Sequence, residues 1–191
     1  MKKTIWKPGT MLYPVPVVMI TCGTIEKSNI ITVAWTGTVN SEPPMTSISI
    51  RKDRFSHDII AKEGCYTINL VDDKLCKKAD FCGVKSGRDI DKAKILGIDL
   101  MPSSVVSSPL IVSSPVNIEC VVERIIELGS HDMFIGRVVA VSVGGKYINE
   151  KNKLCLDKAN LVAYSHGEYF LLGKKLGYFG YSVRKKTRNK K

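Results

Sequence analysis

Two β-favouring runs separated by a pair of adjacent prolines constrain this chain more than any other feature. Ile30 to Thr36 sets Thr32, Ala34 and Thr36 on one face and Ile31, Val33 and Trp35 on the other. Ser41-Glu42-Pro43-Pro44 interrupts the pattern. Proline has no N–H for a ladder, and the residue before it avoids the helical region. Met45 to Ile50 alternates again, and Arg51, Lys52 and Arg54 then arrive together, ahead of Ser56 and His57. The stretch from Asn29 to His57 therefore predicts strand, turn, strand, basic loop and helix start.

The flanking segments continue in the same vein. Val15 to Cys22 is short, apolar and bounded by prolines, which suits a buried strand joined to Ile30–Thr36 by the polar turn Thr24–Ser28. Ser56 to Lys62 reads as a short helix capped by Ser56 and ended by Gly64. Cys65 to Val71 alternates as a strand, and Asp72-Asp73 open a helix that runs through Phe81 and stops at Gly83. A glycine-bearing loop, Gly83 to Gly97, leads into another helix, and residues 98–115 form a Ser/Pro-rich connection. Val116–Leu128 and Met133–Val143 make a long hairpin with His131 and Asp132 at its tip. Glu119, Glu123 and Glu127 fall on one side of its first strand, as a solvated face would. The sum is a mainly β single domain over residues 1–183, a closed or partly closed barrel with helices outside, and a basic tail over 184–191.

Charge narrows the partners. The net charge is +11, and six of the positive charges sit in the last eight residues, which leaves +5 for the body. Such a tail reads either as a solvated terminus or as a patch for nucleic acid, and the modest excess on the body suits a polyanionic cofactor. No apolar run reaches the roughly 18 residues a spanning helix needs, so no membrane association is expected. The opening MKKTIWKPG lacks an apolar core, so the expected compartment is the cytoplasm. Six cysteines occur without a C-x-x-C pair, and three histidines are poor material for a closed metal site. Cys22, Cys65 and Cys120 read as small buried hydrophobes, and Cys76 or Cys82 as exposed thiols open to redox chemistry.

Four groups carry candidate chemistry, each with a plainer alternative. Arg51 to His57 combines charge-assisted donors with a helix N-terminus, which suits a phosphate; the alternative is a solvated basic turn. Thr32 to Thr36 sets small and hydroxyl residues beside an aromatic, which suits a flat ring; the alternative is a strand with a core tryptophan. His131 reads as a polar group over a reactive ring or as a solvated turn residue. Ser86-Gly87-Arg88 with Asp91 and Lys92 reads as a cofactor contact or as a helix start. No paired-carboxylate or Ser/His/Asp layout is legible.

Together these stretches resemble the flavin reductase-like family of FMN-binding split barrels, and within it the flavoredoxin branch. The segments that carry the resemblance are NIITVAWTG, SEPP, SISIRKDRFSHDII, CYTINL, FCGVKSGRDIDKAK, GSHDMFIGRVV and GEYFLLGKKLGYFGYS, in that order. The resemblance implies a six-stranded antiparallel Greek-key barrel flanked by helices, a homodimer, and FMN held near the subunit interface. It implies that Asn29, Thr32, Ala34, Trp35 and Thr36 belong to the cofactor site, the last four lining the ring and ribityl chain. Ser49, Arg51, Lys52 and Ser56 would hold the phosphate, with Asn69 near the flavin. Ser86, Gly87, Arg88 and Lys92 would lie over the cofactor, and His131 beside a nicotinamide site as the catalytic candidate. Two departures stand out: Asp132 follows the histidine where the family often has Thr, and Ala93 follows Asp91-Lys92 where it often has an aromatic. A carboxylate beside His131 disfavours an anionic donor. The implied function is redox chemistry through bound FMN, with NADH or NADPH as donor, or a flavoredoxin-type carrier served by a redox partner protein. A nucleic-acid-associated barrel is the non-redox alternative.

Overall fold

The computed structural model describes residues 1–184. The basic-tail expectation therefore lies, beyond Arg184, outside the described residues. After an extended entry come β1 (Val15–Pro16), β2 (Val18–Gly23), β3 (Ser28–Val33), β4 (Thr36–Ser41) and β5 (Pro44–Arg51). Next are α1 (Phe55–Glu63), β6 (Cys65–Leu70), α2 (Cys76–Val84), α3 (Lys92–Leu96), and the short β7 (Leu100–Met101) and β8 (Leu110–Ile111). The long hairpin β9 (Val116–Glu127) and β10 (His131–Val143) precedes β11 (Val162–Ser165) and β12 (Glu168–Leu171).

The main sheet is antiparallel, in the order β3-β2-β6-β9-β10-β5-β4, and a second sheet pairs β1-β11-β12. This is the mainly β architecture with outside helices that the sequence predicts. Its two edge strands, β3 and β4, are consecutive in the chain with only Ala34 and Trp35 between them. Two linking residues span at most about 10 Å. The sheet must therefore curl until its edges nearly meet, and the Ser49 N–H donates to the Trp35 carbonyl (2.9 Å) across that seam. The bend at Ala34-Trp35 also divides the single strand expected over Ile30–Thr36, so the main sheet has seven strands where six were expected.

The curled sheet has two apolar layers. Inside it, Ile20, Ile48, Tyr66, Ile68 and Phe134 pack together. Outside it, Met19, Ile30, Leu75, Ala79 and Ile111 pack beneath α2. β2 serves both layers with alternate residues, which is why its sequence is a continuous apolar run rather than an alternating one. At the β10 bulge beside Gly136, the Tyr66 hydroxyl lies where a Cβ would stand (2.4 Å), so only glycine lets this aromatic lie under the strand.

Several expected boundaries shift for local reasons. Ser56 lies inside α1 rather than capping it; Arg54 holds the cap position, and the buried Ser56 hydroxyl accepts from Asn29 Nδ2 (2.7 Å). Gly64 closes α1 in the left-handed region as expected. α2 starts at Cys76, because Asp72 turns its carboxylate to the Leu75 N–H (3.0 Å) and bridges to Leu161 instead of opening the helix. Gly83 lies within α2 rather than stopping it. Cys82 is fully buried, not an exposed thiol, and burial pushes it up to about 11.

Glu119 is the main departure on β9. It is not on a solvated face; it is fully buried, because the Ser/Pro-rich segment folds back over it. Its carboxylate accepts from the Ser104 N–H (2.9 Å), the Ser104 hydroxyl (2.7 Å), the Val105 N–H (2.7 Å) and the Val106 N–H (3.2 Å). Burial pushes its pKa up, but these donors outweigh burial and hold it below the ordinary glutamate value. A depressed carboxylate stabilises fully above its ordinary pKa and loses that contribution as pH falls through the lowered one. Glu119→Ala is expected to reduce unfolding stability by about 2–4 kcal/mol at neutral pH in urea denaturation. The gap to the parent protein should narrow once pH drops below about 4.

Candidate functional site

The curled sheet leaves a cleft of about 470 Å³ at its seam. Thr32, Ala34 and Trp35 form one wall, and Ser49 and Arg51 come from the end of β5. Asp80, Gly83 and Val84 of α2 face them, and Tyr13, Tyr164 and Tyr169 close the far end. His131 is the first residue of β10, paired with Arg51 of β5, and its ring lies 4.7 Å from that of Trp35. The register thus moves His131 from the expected loop tip onto the strand. Partial burial, with Arg51 adding to it, holds His131 below the ordinary histidine pKa, so its imidazole is neutral at pH 7.

A second cavity of about 200 Å³ adjoins the first, and Ile31 and Arg54 line both. This recess gathers Asn29, Ser56, Ser86, Gly87, Arg88 and Lys92 at the N-terminus of α1. Arg88 Nη1 donates to the Asp53 carbonyl (2.8 Å), and its guanidinium lies 5.5 Å from the centre of the Phe55 ring. Lys92 is buried and donates to the carbonyls of Cys82 and Lys85 (3.2 Å each); burial, aided by Arg54, pushes its pKa down. Arg54 donates to the Gly83 carbonyl between the two cavities. A Cβ at Gly87 would fall 2.0 Å from Asn29 Oδ1, so any side chain there displaces the residue that holds Ser56.

Of the sequence-derived candidates, the cleft gathers Thr32, Ala34, Trp35, Ser49, Arg51 and His131. The recess gathers Asn29, Ser56, Ser86, Gly87, Arg88 and Lys92. The group expected to grip one phosphate is thereby divided, since Ser49 and Arg51 lie in the cleft and Ser56 in the recess. Three candidates lie in neither cavity. Thr36 turns its hydroxyl to the Ser47 carbonyl (2.7 Å). Asn69 is fully buried in a polar network, donating to the Met19 carbonyl (2.9 Å) and accepting from Ile111 N–H (2.8 Å) and Asn117 Nδ2 (2.7 Å). Lys52 lies on the outer rim, 2.8 Å from Glu127 and 3.3 Å from Asp132.

Asp132 corrects a further expectation. Side chains alternate along β10, so its carboxylate points away from His131 and the cleft. It meets His57 Nε2 at 2.8 Å, and His57 Nδ1 meets Asp58 at 3.0 Å. The carboxylate therefore ties β10 to α1 and places no charge before the cleft. Arg54 and the three tyrosines were missed as site residues. Arg54 was visible within the basic loop, but nothing local in the sequence marks Tyr13, Tyr164 or Tyr169. Among the described residues, no cluster of His, Cys, Asp or Glu has the makings of a metal site, and no helix is long and apolar enough to cross a membrane.

The two cavities together make an aromatic-walled slot joined to a cationic recess. That shape and donor set fit a planar aromatic ligand with an anionic end, and the cleft alone, at about 470 Å³, falls within the range of about 300–1,000 Å³ usual for ligand sites.

Comparison with known proteins agrees. A family model described as flavin reductase like domain matches residues 10–171. Flavoredoxin of Desulfovibrio vulgaris (Miyazaki F) superposes with a TM-score of 0.88 at 27% identity, covering 96% of this chain and 100% of its own. Flavoredoxin from Methanosarcina acetivorans gives the same TM-score and coverage at 24% identity, a likeness of fold. An uncharacterised protein of Aeropyrum pernix is 30% identical over 132 residues, 69% of this chain. The match spans 50% of that relative's length.

The Asp132 tie is open to measurement. Burial pushes His57 down, but Asp58 and Asp132 outweigh it and raise its pKa. A raised histidine stabilises fully below its ordinary value of about 6.5 and loses that contribution as pH climbs through the raised one. In Asp132→Asn the His57 ring titration, followed by NMR, is expected to drop toward the ordinary value, while that of His131 stays in place.

Proposed function

Because this chain belongs to the flavin reductase-like domain family, we propose that it is an FMN-binding redox protein, with the isoalloxazine ring in the cleft and the phosphate in the recess. The observation that carries this reading is the junction of the aromatic slot with the cationic recess through Arg54. A recess with four cationic side chains, Arg54, Lys85, Arg88 and Lys92, at a helix N-terminus suits a phosphate group, which favours FMN over an uncharged flavin. Bound flavin supplies hydride and single-electron chemistry.

The protein's part is binding and electrostatics. Trp35 and His131, packed against each other, would form one wall for the ring, with Thr32–Ala34 beside them. Arg51, also lining the cleft, would supply a positive charge beside the ring. Arg54, Arg88, Lys92 and Ser56 take the phosphate, a set that replaces Lys52. One donor compatible with this site is NADH or NADPH entering over His131, a neutral polar group at the mouth with no carboxylate from Asp132 before it. Large apolar side chains at both ends of the domain, among them Trp6, Leu12, Leu176 and Phe179, are exposed, which supports a homodimer in which a second copy covers them. Residues 1–183 then act as one domain, in the cytoplasm.

Purified protein is expected to be yellow, and stripped protein to recover the flavin bands on titration with FMN. Arg54→Ala combined with Arg88→Ala should raise the FMN Kd at least about tenfold, whereas Lys52→Ala should change it less than about twofold. A protein that ignores added FMN, or a double variant that binds it normally, rules this reading out. Anaerobic bleaching by NADH or NADPH tests the donor; no bleaching by either removes the nicotinamides.

A further inference from the structure

A third cavity, of about 540 Å³, lies across α2 from the cleft, between α2 and α3. Its floor is apolar: Phe81 is half-buried, and Val84 and Ile95 are exposed. Four lysines ring it, Lys74, Lys77, Lys78 and Lys85, against the single carboxylate of Asp80. Among the described residues no carboxylate pairs with these lysines. Lys78 donates to the Gly97 carbonyl (3.0 Å) and Asp80 accepts from the Tyr169 hydroxyl (2.9 Å).

Two features set this groove apart from an ordinary solvated face. First, Lys77 and Lys78 stand in the first turn of α2, with Lys74 just before it and no acidic residue in that turn. Cations at the positive end of a helix oppose its dipole, so these lysines are not there to stabilise α2. Secondly, Asp80 and Val84 line both this groove and the cleft. Only the body of α2 separates whatever docks here from whatever the cleft holds.

We propose that the groove is the docking surface for an acidic, single-electron carrier protein that reduces the cofactor across α2. This rests on the reading of the cleft as a flavin site. An apolar centre within a basic rim is the pattern of a transient interface, in which charge steers encounter and the apolar floor supplies contact. Its compact, single-groove form suits a small acidic protein better than nucleic acid, which needs an extended basic track. Each docking oxidises the carrier by one electron. Two dockings and one proton from solvent leave the flavin reduced by two electrons as its anion.

The test uses a small acidic 2Fe–2S ferredoxin as probe and compares the parent protein with the Lys74→Glu/Lys77→Glu variant. The parent should bind oxidised ferredoxin in calorimetric titration, more weakly at about 200 mM than at about 20 mM salt. In the variant the Kd should rise at least about tenfold, and stopped-flow bleaching by reduced ferredoxin should slow by a similar factor. FMN affinity and bleaching by dithionite should stay unchanged. Tm should hold or rise, since the new carboxylates agree with the helix dipole. Equal ferredoxin binding by both proteins overturns the proposal, as does loss of duplex DNA binding in the variant with no ferredoxin binding in either. The oxidised titration needs no flavin. A protein that takes up no FMN but binds ferredoxin through these lysines upholds the docking surface and rejects the cleft reading.

Discussion

The two-residue link between β3 and β4 is the constraint on which the rest of the molecule depends. An open sheet of seven strands would hold its edges far apart, yet here the chain passes from one edge to the other through Ala34 and Trp35 alone. Closure and site are consequently one feature. The bend that lets the sheet curl exposes Trp35 at the seam, and the Trp35 carbonyl that accepts from Ser49 fixes the link to β5. His131 reaches the same seam because β10 pairs with β5 in a register that sets it opposite Arg51.

The second organising fact is the strict alternation of a strand. His131 and Asp132 are neighbours in sequence but serve opposite faces of β10. One joins Trp35 in the cleft, and the other joins His57 of α1. The Asp132 tie draws α1 against the sheet, and with α1 come Arg54 and Ser56 at its start. An acidic residue that looked unfavourable for the cleft thus helps to hold the recess beside it.

Much of the fold was legible because it is written in local patterns. The proline-broken strands, the closing glycine of α1 and the β9–β10 hairpin all follow from short-range rules. Twelve of the fifteen candidate site residues converge on two adjoining cavities for the same reason, since strand ends and helix starts are marked locally. What was not legible depends on long-range partners. Asn69 reads as a polar strand-end residue until Ile111 and Asn117 arrive from more than forty residues away to consume its amide. Glu119 reads as solvated until residues 104–106 fold over it. The tyrosines at the far end of the cleft come from opposite ends of the chain, and no window of sequence contains them all.

Arg54 borders both the slot and the recess and is fastened to the Gly83 carbonyl between them. The two compartments therefore share one wall. A ligand that spans both would meet the same guanidinium with each of its halves, so their free energies would be coupled rather than additive. A fragment carrying only the ring, or only the anion, would use that side chain from one compartment alone. Selectivity for the whole over its parts is in that sense built into a single side chain.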